Sequence, residues 1–256
     1  MDLESLVHEY GDRIYNLAFK ITGDANEAED IVQETFLRAH RYQDRFRGDS
    51  SEYTWLYRIA LNVGLRAKER LHNDFFQSLD AATDACADDV PDDVTRWQRD
   101  PEARYLYDAL LTEIQRACIH FVTRRLTDEQ RAVYVLRVMV GLPLDDIVRI
   151  LEVNKNTVKA RLHRAKVALR EYFSGRCQWV SESPSGSPGC TCESKLGFAL
   201  TAAPEILKKL RDHPVDEQTH AVIRSTVADV TSPQAIQALY PEQSLSRKVI
   251  QRILAS

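Results

Sequence analysis

The chain has 256 residues, with 34 basic and 38 acidic side chains and a formal net charge of −4. That length accommodates two small helical cores and an extension, and the slight acidity disfavours a protein that coats DNA through its overall charge. The sequence contains no run of eighteen apolar residues and no basic-then-apolar start. It therefore predicts a cytoplasmic protein that has no transmembrane helix.

Two amphipathic helices are predicted within the first 75 residues. The segment 28–46, AEDIVQETFLRAHRYQDRF, places apolar residues at helical spacing on one face and polar residues on the other. The inward positions are Ile31, Val32, Thr35, Phe36 and Ala39, and the outward positions are Asp30, Gln33, Glu34, Arg38 and Arg41. The segment 47–70, RGDSSEYTWLYRIALNVGLRAKER, predicts a second helix. Its apolar and aromatic positions are Trp55, Leu56, Ile59, Ala60 and Val63.

An acidic stretch follows these two helices. Between Asp80 and Glu102 there are eight acids and two arginines, with prolines at 91 and 101 and few large apolar residues. This composition predicts a flexible linker between two helical domains. Two interpretations remain open for it: a segment that follows a positively charged channel of a partner, and a solvated tether.

The segment 126–173 predicts a helix-turn-helix. Thr127 and Gln130 form a capping-box pattern before a first helix, which ends at Gly141. A short second helix spans 144–151, and a third helix begins near Asn154 and runs to Phe173. The apolar stripe of the third helix comprises Val158, Leu162, Ala165, Leu169 and Phe173.

The opposite face of the third helix is basic. It contains Lys155, Lys159, Arg161, Arg164, Lys166 and Arg170, with Glu171 as its acid. Long cations along one face match a row of phosphates, and the first turn of such a helix can reach base edges in a major groove. A solvated basic face is the alternative, although the tight corner upstream favours DNA binding.

Four stretches together resemble one family: DIVQETFLRAHR, WLYRIALN, LTDEQRAVYVLR and VKARLHRAKVALR. In this order and separation they resemble bacterial RNA polymerase sigma factors of the extracytoplasmic-function type, group IV of the sigma-70 family. The resemblance implies an all-α fold with two small helical domains. The expected organisation is a region-2-like domain at 1–75, the acidic linker at 76–104, a region-4-like helix-turn-helix domain at 105–174 and a helical extension at 175–256.

The resemblance also implies partners. They are bacterial core RNA polymerase, through the clamp helices of β′ and the flap of β, and promoter DNA; an anti-sigma factor is a further candidate. No membrane partner is expected. Residues that match the polymerase-binding positions are Asp30, Gln33, Glu34, Leu37, Arg38 and Arg41. Mixed charges beside a leucine suit a protein partner better than DNA. No phosphate loop, nucleophile elbow or metalloprotease motif is present, so we expect no enzyme activity from the chain itself.

The region-2-like domain is expected to separate the strands at the promoter −10 element. Candidate single-strand contacts are Ser50, Ser51, Tyr53, Trp55, Arg58, Asn62, Arg66 and Arg70. The spacing of Trp55 and Ile59 favours a core position for Trp55. Tyr53 fits either a stacking platform or ordinary packing, and Asn62 favours a polar contact to a strand or to backbone.

The region-4-like domain is expected to recognise the −35 element. Residues at the matching positions are Lys155, Asn156, Thr157, Lys159 and Arg161, with His163 and Arg164 nearer the phosphates. One departure is visible in the turn before the third helix. Many relatives have a glycine there, whereas this chain has Glu152.

The extension begins with a Ser-, Gly- and Pro-rich segment that includes Cys177, Cys190 and Cys192. Thiols in a cytoplasmic protein favour metal ligation or a redox switch over a structural disulfide. His213 or His220 would complete a tetrahedral zinc site with the three cysteines. The resemblance requires no cofactor. Zinc, copper and cadmium are the candidate metals for this site, and the alternative is that the three cysteines are ordinary loop thiols. Cys86 and Cys118 are isolated, and Cys118 fits a packing position.

Four short helices are predicted after the cysteines, with caps at Asp216, Ser232 and Ser244. Their apolar stripes comprise Ile206, Leu207, Leu210, Ala221, Val222, Val227, Ile236, Leu239, Val249, Ile250, Ile253 and Leu254. These stripes either pack on each other or dock on the sigma domains. The predicted function is an alternative sigma factor regulated by this extension through metal or thiol oxidation. A stand-alone helix-turn-helix regulator is the alternative, and so is an interaction protein whose cysteines are incidental.

Overall fold

The computed structural model describes residues 2–46, 51–67, 92–173, Leu196 and 232–255, and within these residues every regular element is a helix. The predicted all-α class is confirmed. The α-helices are α1 (Leu3–Thr22), α2 (Ala25–Arg41), α3 (Glu52–Ala67), α4 (Asp92–Arg99), α5 (Arg104–Thr123), α6 (Asp128–Tyr134), α7 (Leu144–Leu151), α8 (Lys155–Phe173), α9 (Pro233–Ala238) and α10 (Arg247–Leu254). None of these described helices combines the length and apolar character that spanning a bilayer requires.

Helices α1, α2 and α3 pack against one another in the first part of the chain. Asp2 caps α1 by accepting a hydrogen bond from the Ser5 backbone N–H at 2.9 Å, and Asp24 caps α2 in the same way. All five inward positions predicted for α2 are buried. In α3 the predicted core positions Leu56, Ala60 and Val63 are buried, whereas Trp55 and Ile59 are only partly buried. Tyr57 and Leu61 take up the remaining core positions.

The helix-turn-helix forms as the sequence predicts. Thr127 and Gln130 make a complete capping box on α6, which continues as a π-helical turn over Val135–Met139. Gly141 follows with a φ of 88°, a left-handed conformation that glycine adopts without steric cost. Asn154 caps α8, because its side-chain oxygen accepts the Thr157 N–H at 2.8 Å.

The C-terminal segment docks on α1 and α2 through α10. On α10 the apolar residues Val249 and Ile253 are fully buried, whereas Leu254 is exposed. The predicted cap at Ser244 is wrong, because Ser246 accepts the Val249 N–H and begins the helix. The residues just before 246 are not helical, and Leu245 among them is buried against α1 beside Gly11. A Cβ at Gly11 would lie 3.2 Å from the Leu245 side chain.

A polar row on α1 holds the residues that precede α10. Asp12, Asn16 and Lys20 lie one turn apart on one face of α1. The Asp12 carboxylate accepts the Leu245 N–H at 2.7 Å, and Asn16 exchanges hydrogen bonds of 2.7 and 2.9 Å with the Gln243 backbone. The ammonium of Lys20, whose side chain is 4% exposed, lies 2.8 Å from the Glu242 carboxylate. We call residues 242–254 the C-terminal strap.

Helices α4, α5 and α9 form a separate set of contacts. Val94 of α4 is buried with Tyr107, Leu110 and Ile114 of α5 in one apolar cluster. The helix α4 differs from the flexible linker predicted for 76–104. It forms within the acidic segment because Val94 is buried against α5. The earlier linker residues, 76–91, lie outside the described residues.

Helix α9 also belongs to this set. Ile236, Leu239 and Tyr240 are buried, and the Tyr240 hydroxyl lies 2.9 Å from Nε2 of His120 on α5. Arg116 of α5 donates to the Leu239 carbonyl. Of the two arrangements left open for the extension, docking on the preceding helices therefore holds for α9 and α10. The other predicted helices of the extension lie outside the described residues.

The contacts group the chain into two compact units. One contains residues within Met1–Leu71, Leu126–Lys166 and Glu242–Ser256, and the other contains residues within His72–Arg125 and Val167–Pro241. This grouping differs from the predicted boundaries at 1–75 and 105–174. The reason is that α3 packs against α6 and α7, so the region-2-like helices and the helix-turn-helix lie in one unit.

We expect Glu242→Ala to destabilise the unit to which the C-terminal strap belongs. The change leaves the buried Lys20 ammonium without its carboxylate, which costs about 1–2 kcal/mol after allowance for the exposure of Glu242. Urea unfolding followed by tryptophan fluorescence measures the effect. Asp44→Ala removes an exposed carboxylate and serves as the control; an equal loss in both variants contradicts the prediction.

Candidate nucleic-acid interface

The recognition helix α8 separates an apolar face from an exposed basic face. Val158, Ala165, Leu169 and Phe173 are buried, and Leu162 is partly buried, as predicted. Among the predicted −35 contacts, those on the open face are Lys155, Asn156, Lys159, His163 and Arg164. Thr157 and Arg161 are partly buried. The first turn of α8 and its basic face are therefore available to a ligand.

Lys155 is paired within the helix-turn-helix. Its ammonium lies 2.8 Å from the Asp145 carboxylate of α7. The hydrogen bond and positive charge of Lys155 lower the pKa of Asp145 below its ordinary value, so the Asp145 carboxylate is ionised at neutral pH. Both side chains are at least half exposed, and a phosphate group can therefore compete with Asp145 for Lys155.

The turn between α7 and α8 has an unusual backbone. Glu152, the residue at the position where many relatives have glycine, adopts φ 53° and ψ 41° at the end of α7. Among the residues that the structure describes, Glu152 is the only non-glycine residue with a positive φ. This conformation costs a side-chain-bearing residue about 1 kcal/mol relative to glycine. The position that sequence analysis identified as a departure is thus a strained one.

Arg58 of α3 contacts this turn. Its Nε donates to the Ile150 carbonyl at 3.0 Å, and its Nη2 donates to the Arg149 carbonyl at 2.9 Å. Its Nη1 lies 2.7 Å from the Glu152 carboxylate. The last carbonyls of a helix have no partner within the helix, so Arg58 supplies the cap that α7 lacks. We call Arg58 and these three acceptors the Arg58 clasp.

The other predicted −10 contacts lie along α3. Asn62 and Arg66 are exposed, which agrees with the polar contact expected of Asn62. Ser51 is exposed and bonds to Thr54 at the start of the helix. Ser50 and Arg70 lie outside the described residues.

Three aromatic residues accompany these polar groups. Trp55 is partly buried against Phe46, with ring centroids 5.2 Å apart. The ring centroids of Tyr53 and Tyr57 lie 4.3 Å apart, and burial raises the pKa of both phenols. Both tyrosines are therefore uncharged at neutral pH and do not repel phosphate. Tyr53 combines packing with partial exposure, so both interpretations of it remain compatible with the structure.

The predicted polymerase-binding face follows α2. Asp30 and Arg41 are exposed, whereas Gln33 and Leu37 are partly buried. Glu34 and Arg38 are also partly buried and pair with each other at 2.5 Å, one helical turn apart. This pairing is an intrahelical contact that an approaching protein surface can replace.

The predicted metal-binding residues lie outside the part of the chain that the structure describes: Cys177, Cys190, Cys192, His213 and His220. Within the described part, no cluster of histidine, cysteine and carboxylate side chains has the arrangement of a metal site. Cys118 is partly buried on α5, in agreement with the packing position predicted for it. Cys86 is not among the described residues.

Sequence reasoning missed two groups. The first is the Arg58 clasp, for which the signal was Glu152 in place of glycine. The second is the polar row on α1, which the sequence shows only as Asp12, Asn16 and Lys20 at four-residue spacing. Neither feature predicts which residues it contacts, because the contacting residues lie far away in the sequence.

Two family models match this chain, one over the α1–α3 part and one over the part that contains the helix-turn-helix. Residues 6–72 match the model of sigma-70 region 2, and residues 116–169 match that of sigma-70 region 4. The RNA polymerase sigma-H factor of Pseudomonas aeruginosa is 34% identical over 64% of this chain and 82% of its own length. The ECF sigma factor SigW of Bacillus subtilis is 34% identical over 65% of this chain and 86% of its own length.

A third relative and a solved structure are also similar to this chain in part. The ECF sigma factor SigE of Mycolicibacterium smegmatis is 30% identical over 70% of this chain and 65% of its own length. A structure of CnrH in complex with the cytosolic domain of CnrY aligns with a TM-score of 0.45 at 22% identity, over 67% of this chain and 86% of that one. From the two region matches and the identity to full-length relatives, the chain belongs to the ECF group of the sigma-70 family of RNA polymerase sigma factors.

Proposed function

We propose that this sigma factor binds core RNA polymerase through α2 and directs it to promoters that α3 and α8 recognise. The observation that supports this most strongly is the exposed basic face of α8 behind a correctly capped helix-turn-helix. A stand-alone regulator would use that helix-turn-helix equally well. It would have no need of α2 and α3, which match region 2 in the expected order.

Recognition of the −35 element is assigned to the first turns of α8. Lys155, Asn156 and Lys159 are exposed there and can reach base edges, whereas His163 and Arg164 lie further along and suit phosphates. Arg161 is partly buried, and arginine suits a bidentate contact to guanine. Lys155 must leave Asp145 when it binds DNA, so DNA has to outcompete one exposed ion pair.

Recognition of the −10 element is assigned to α3. Tyr53 and Trp55 supply aromatic surface, and Asn62 and Arg66 supply exposed polar groups along the same helix. Extraction of a base from the duplex costs a few kcal/mol and is offset by stacking and hydrogen bonding. The uncharged phenols and the cations together suit single-stranded DNA.

We assign two contacts with the polymerase. The outward residues of α2 bind the clamp helices of β′, and the helix-turn-helix domain binds the flap of β. Asp30 and Arg41 flank a partly exposed Leu37 on this face. Such a mixed surface is typical of protein interfaces rather than DNA-binding faces. An anti-sigma factor would compete for these same surfaces.

We further propose that the extension adjusts the activity of the sigma factor through a thiophilic metal or thiol oxidation. The support is chemical: Cys177, Cys190 and Cys192 lie close together in sequence, with His213 and His220 downstream. Docking of α9 and α10 on the preceding helices supports this proposal, because it places part of the extension in contact with those helices.

The central experiment is run-off transcription with bacterial core polymerase and genomic fragments as template. We expect promoter-specific transcripts from the full chain. Lys159→Ala should lower them about tenfold, because one base or phosphate contact is lost. Lys248→Ala on the exposed face of α10 is the matched control and should retain full activity. DNA binding without core binding or transcripts would support the stand-alone regulator instead.

The ion pair of Lys155 has its own test. We expect Lys155→Ala to raise the pKa of Asp145 toward its ordinary value, because the lowering depends first on the Lys155 hydrogen bond and then on its charge. The ion pair stabilises the folded state at pH values above the ordinary carboxyl pKa. This stabilisation is lost as the pH falls through the lowered pKa of Asp145. Carboxyl-carbon NMR titration measures the shift, and an unchanged pKa in Lys155→Ala contradicts the pairing.

The proposed sensor is tested by changing Cys177, Cys190 and Cys192 together to serine. We expect zinc, copper or oxidant to alter transcription by the full chain but not by this variant, since serine does not supply a thiolate. Cys118→Ser is the control, because that thiol lies on α5. If the triple variant responds as the native chain does, the cysteines are incidental.

A further inference from the structure

The C-terminal strap contacts both of the first two helices. Its residues 242–245 bind α1, and its helix α10 packs against α1 and α2. On α2 the Ser246 hydroxyl donates a hydrogen bond of 3.4 Å to the Glu29 carboxylate. Glu29 directly precedes Asp30, the first of the predicted polymerase-binding residues. The strap is therefore in contact with the helix to which polymerase binding is assigned.

The docked strap leaves the polymerase-binding face of α2 open. Asp30 and Arg41 are exposed, and Leu37 is partly exposed, while α10 is in place. Around the axis of α2, Glu29 lies about 80° from Leu37 and about 120° from Arg41, since successive helical residues are about 100° apart. The strap thus contacts α2 from the side. This arrangement fits a support for α2 rather than a cover over its polymerase-binding face.

The surface of α1 matches the strap in detail. Gly11 lies inside α1, where glycine is less favourable than alanine, and Leu245 occupies the space beside it. Asn16 exchanges two hydrogen bonds with the strap backbone, which sets the register of the strap on α1. The ammonium of Lys20, whose side chain is 4% exposed, is neutralised by Glu242. These contacts select one particular segment, which a plain apolar surface would not do.

Helix α10 depends on this site for its own structure. It has 8 residues, which are too few for a stable isolated helix in water. Val249 and Ile253 are fully buried in the docked strap and would face water after its release. Release would therefore unfold α10 and expose apolar surface of α1 and α2, which loosens the packing that holds α2.

We propose that the docked C-terminal strap positions α2 for core RNA polymerase, so that release of the strap lowers the affinity of the chain for the polymerase. This inference rests on the proposed function, because that function assigns polymerase binding to α2. It makes the end of the extension an activating element of the sigma factor. Leu245, Val249 and Ile253 are then positioning residues, which act on the polymerase contact through α2.

The test compares two variants of the full chain that add the same charge to α10. Val249→Asp places a carboxylate at a fully buried position, whereas Gln251→Asp places it at an exposed one. Anisotropy of the fluorescently labelled chain measures the dissociation constant for bacterial core polymerase. We expect Val249→Asp to weaken core binding about tenfold, because release of the strap loosens α2. Gln251→Asp should bind core as the native chain does. Tighter core binding by Val249→Asp would show that the strap covers the interface, and the proposal would be wrong.

A synthetic peptide with the sequence of residues 242–255 tests whether the site can be filled again. It is added to the Val249→Asp chain at about 1 mM, which is the order of the effective concentration of a tethered segment. We expect the native peptide to slow hydrogen exchange in α1 and α2 and to restore core binding. The same peptide with Val249→Asp should do neither. A native peptide that fails to dock, or that docks without restoring core binding, overturns the proposal.

Gly11→Leu tests the same site from the side of α1. Leucine forms helices better than glycine, so the change does not weaken α1, but its side chain takes the space of Leu245. We expect Gly11→Leu to weaken core binding as Val249→Asp does. The combined variant should be no weaker than either single variant, because the strap is already released. Additive losses would mean that the two changes act at separate places, which contradicts a shared site.

Binding of a single-stranded oligonucleotide separates the positioning of α2 from general unfolding. This binding is assigned to α3, so it should be unchanged in Val249→Asp at a temperature well below the melting temperature. Equal losses of core binding and oligonucleotide binding indicate unfolding and overturn the inference. Absence of core binding by the native chain overturns the proposed function and this inference with it. Native core binding that Val249→Asp and Gly11→Leu leave unchanged overturns this inference alone.

Discussion

Short amphipathic helices cannot bury their apolar faces alone, and this constraint requires each of them to pack against a partner. Helix α10 has Val249 and Ile253 fully buried only because α1 and α2 offer a surface for them. Helix α4 is buried through Val94 against α5 for the same reason. A helix of eight residues is marginal in water by itself, so its partner is part of its stability. The docking of the extension on the sigma helices follows from this requirement.

Hydrophobic burial does not choose among possible partners, because it is non-directional. Polar contacts make that choice here. Asp12 and Asn16 bind the backbone of the C-terminal strap and place Leu245 beside Gly11. Arg58 similarly places the end of α7 against α3. Each contact uses a backbone group with no other regular partner, and directional hydrogen bonds therefore set the register of the packing.

The same chemistry connects the fold to its function. A protein that binds DNA needs exposed cations, and such cations attract the acids of their own chain when DNA is absent. Lys155 pairs with Asp145, and Arg58 pairs with Glu152. Both pairs are exposed enough for phosphate to replace the acid. Under the proposed function, the free protein keeps these candidate DNA-binding groups paired with its own acids, and DNA binding would exchange one anionic partner for another.

Local pattern was sufficient for much of the fold. The bounds of α7 and α8, the capping box at Thr127 and the inward face of α2 were all predictable from spacing and cap residues, because these depend on neighbours within a few positions. The exposed face of α8 followed from the same periodicity. The family also followed from the sequence, since its motifs are contiguous stretches.

Tertiary structure alone decided the contacts between distant segments. Ser246 rather than Ser244 begins α10, because Leu245 is buried against α1 and its backbone N–H binds the Asp12 carboxylate ahead of the helix. Residues Asp92–Arg99 form a helix in a segment whose acidic composition indicated a flexible linker, because Val94 finds an apolar cluster on α5. Glu152 departed visibly from the family pattern, yet its partner Arg58 lies 94 residues away. Sequence spacing carries no information about such pairs, since they depend on which packed surfaces meet.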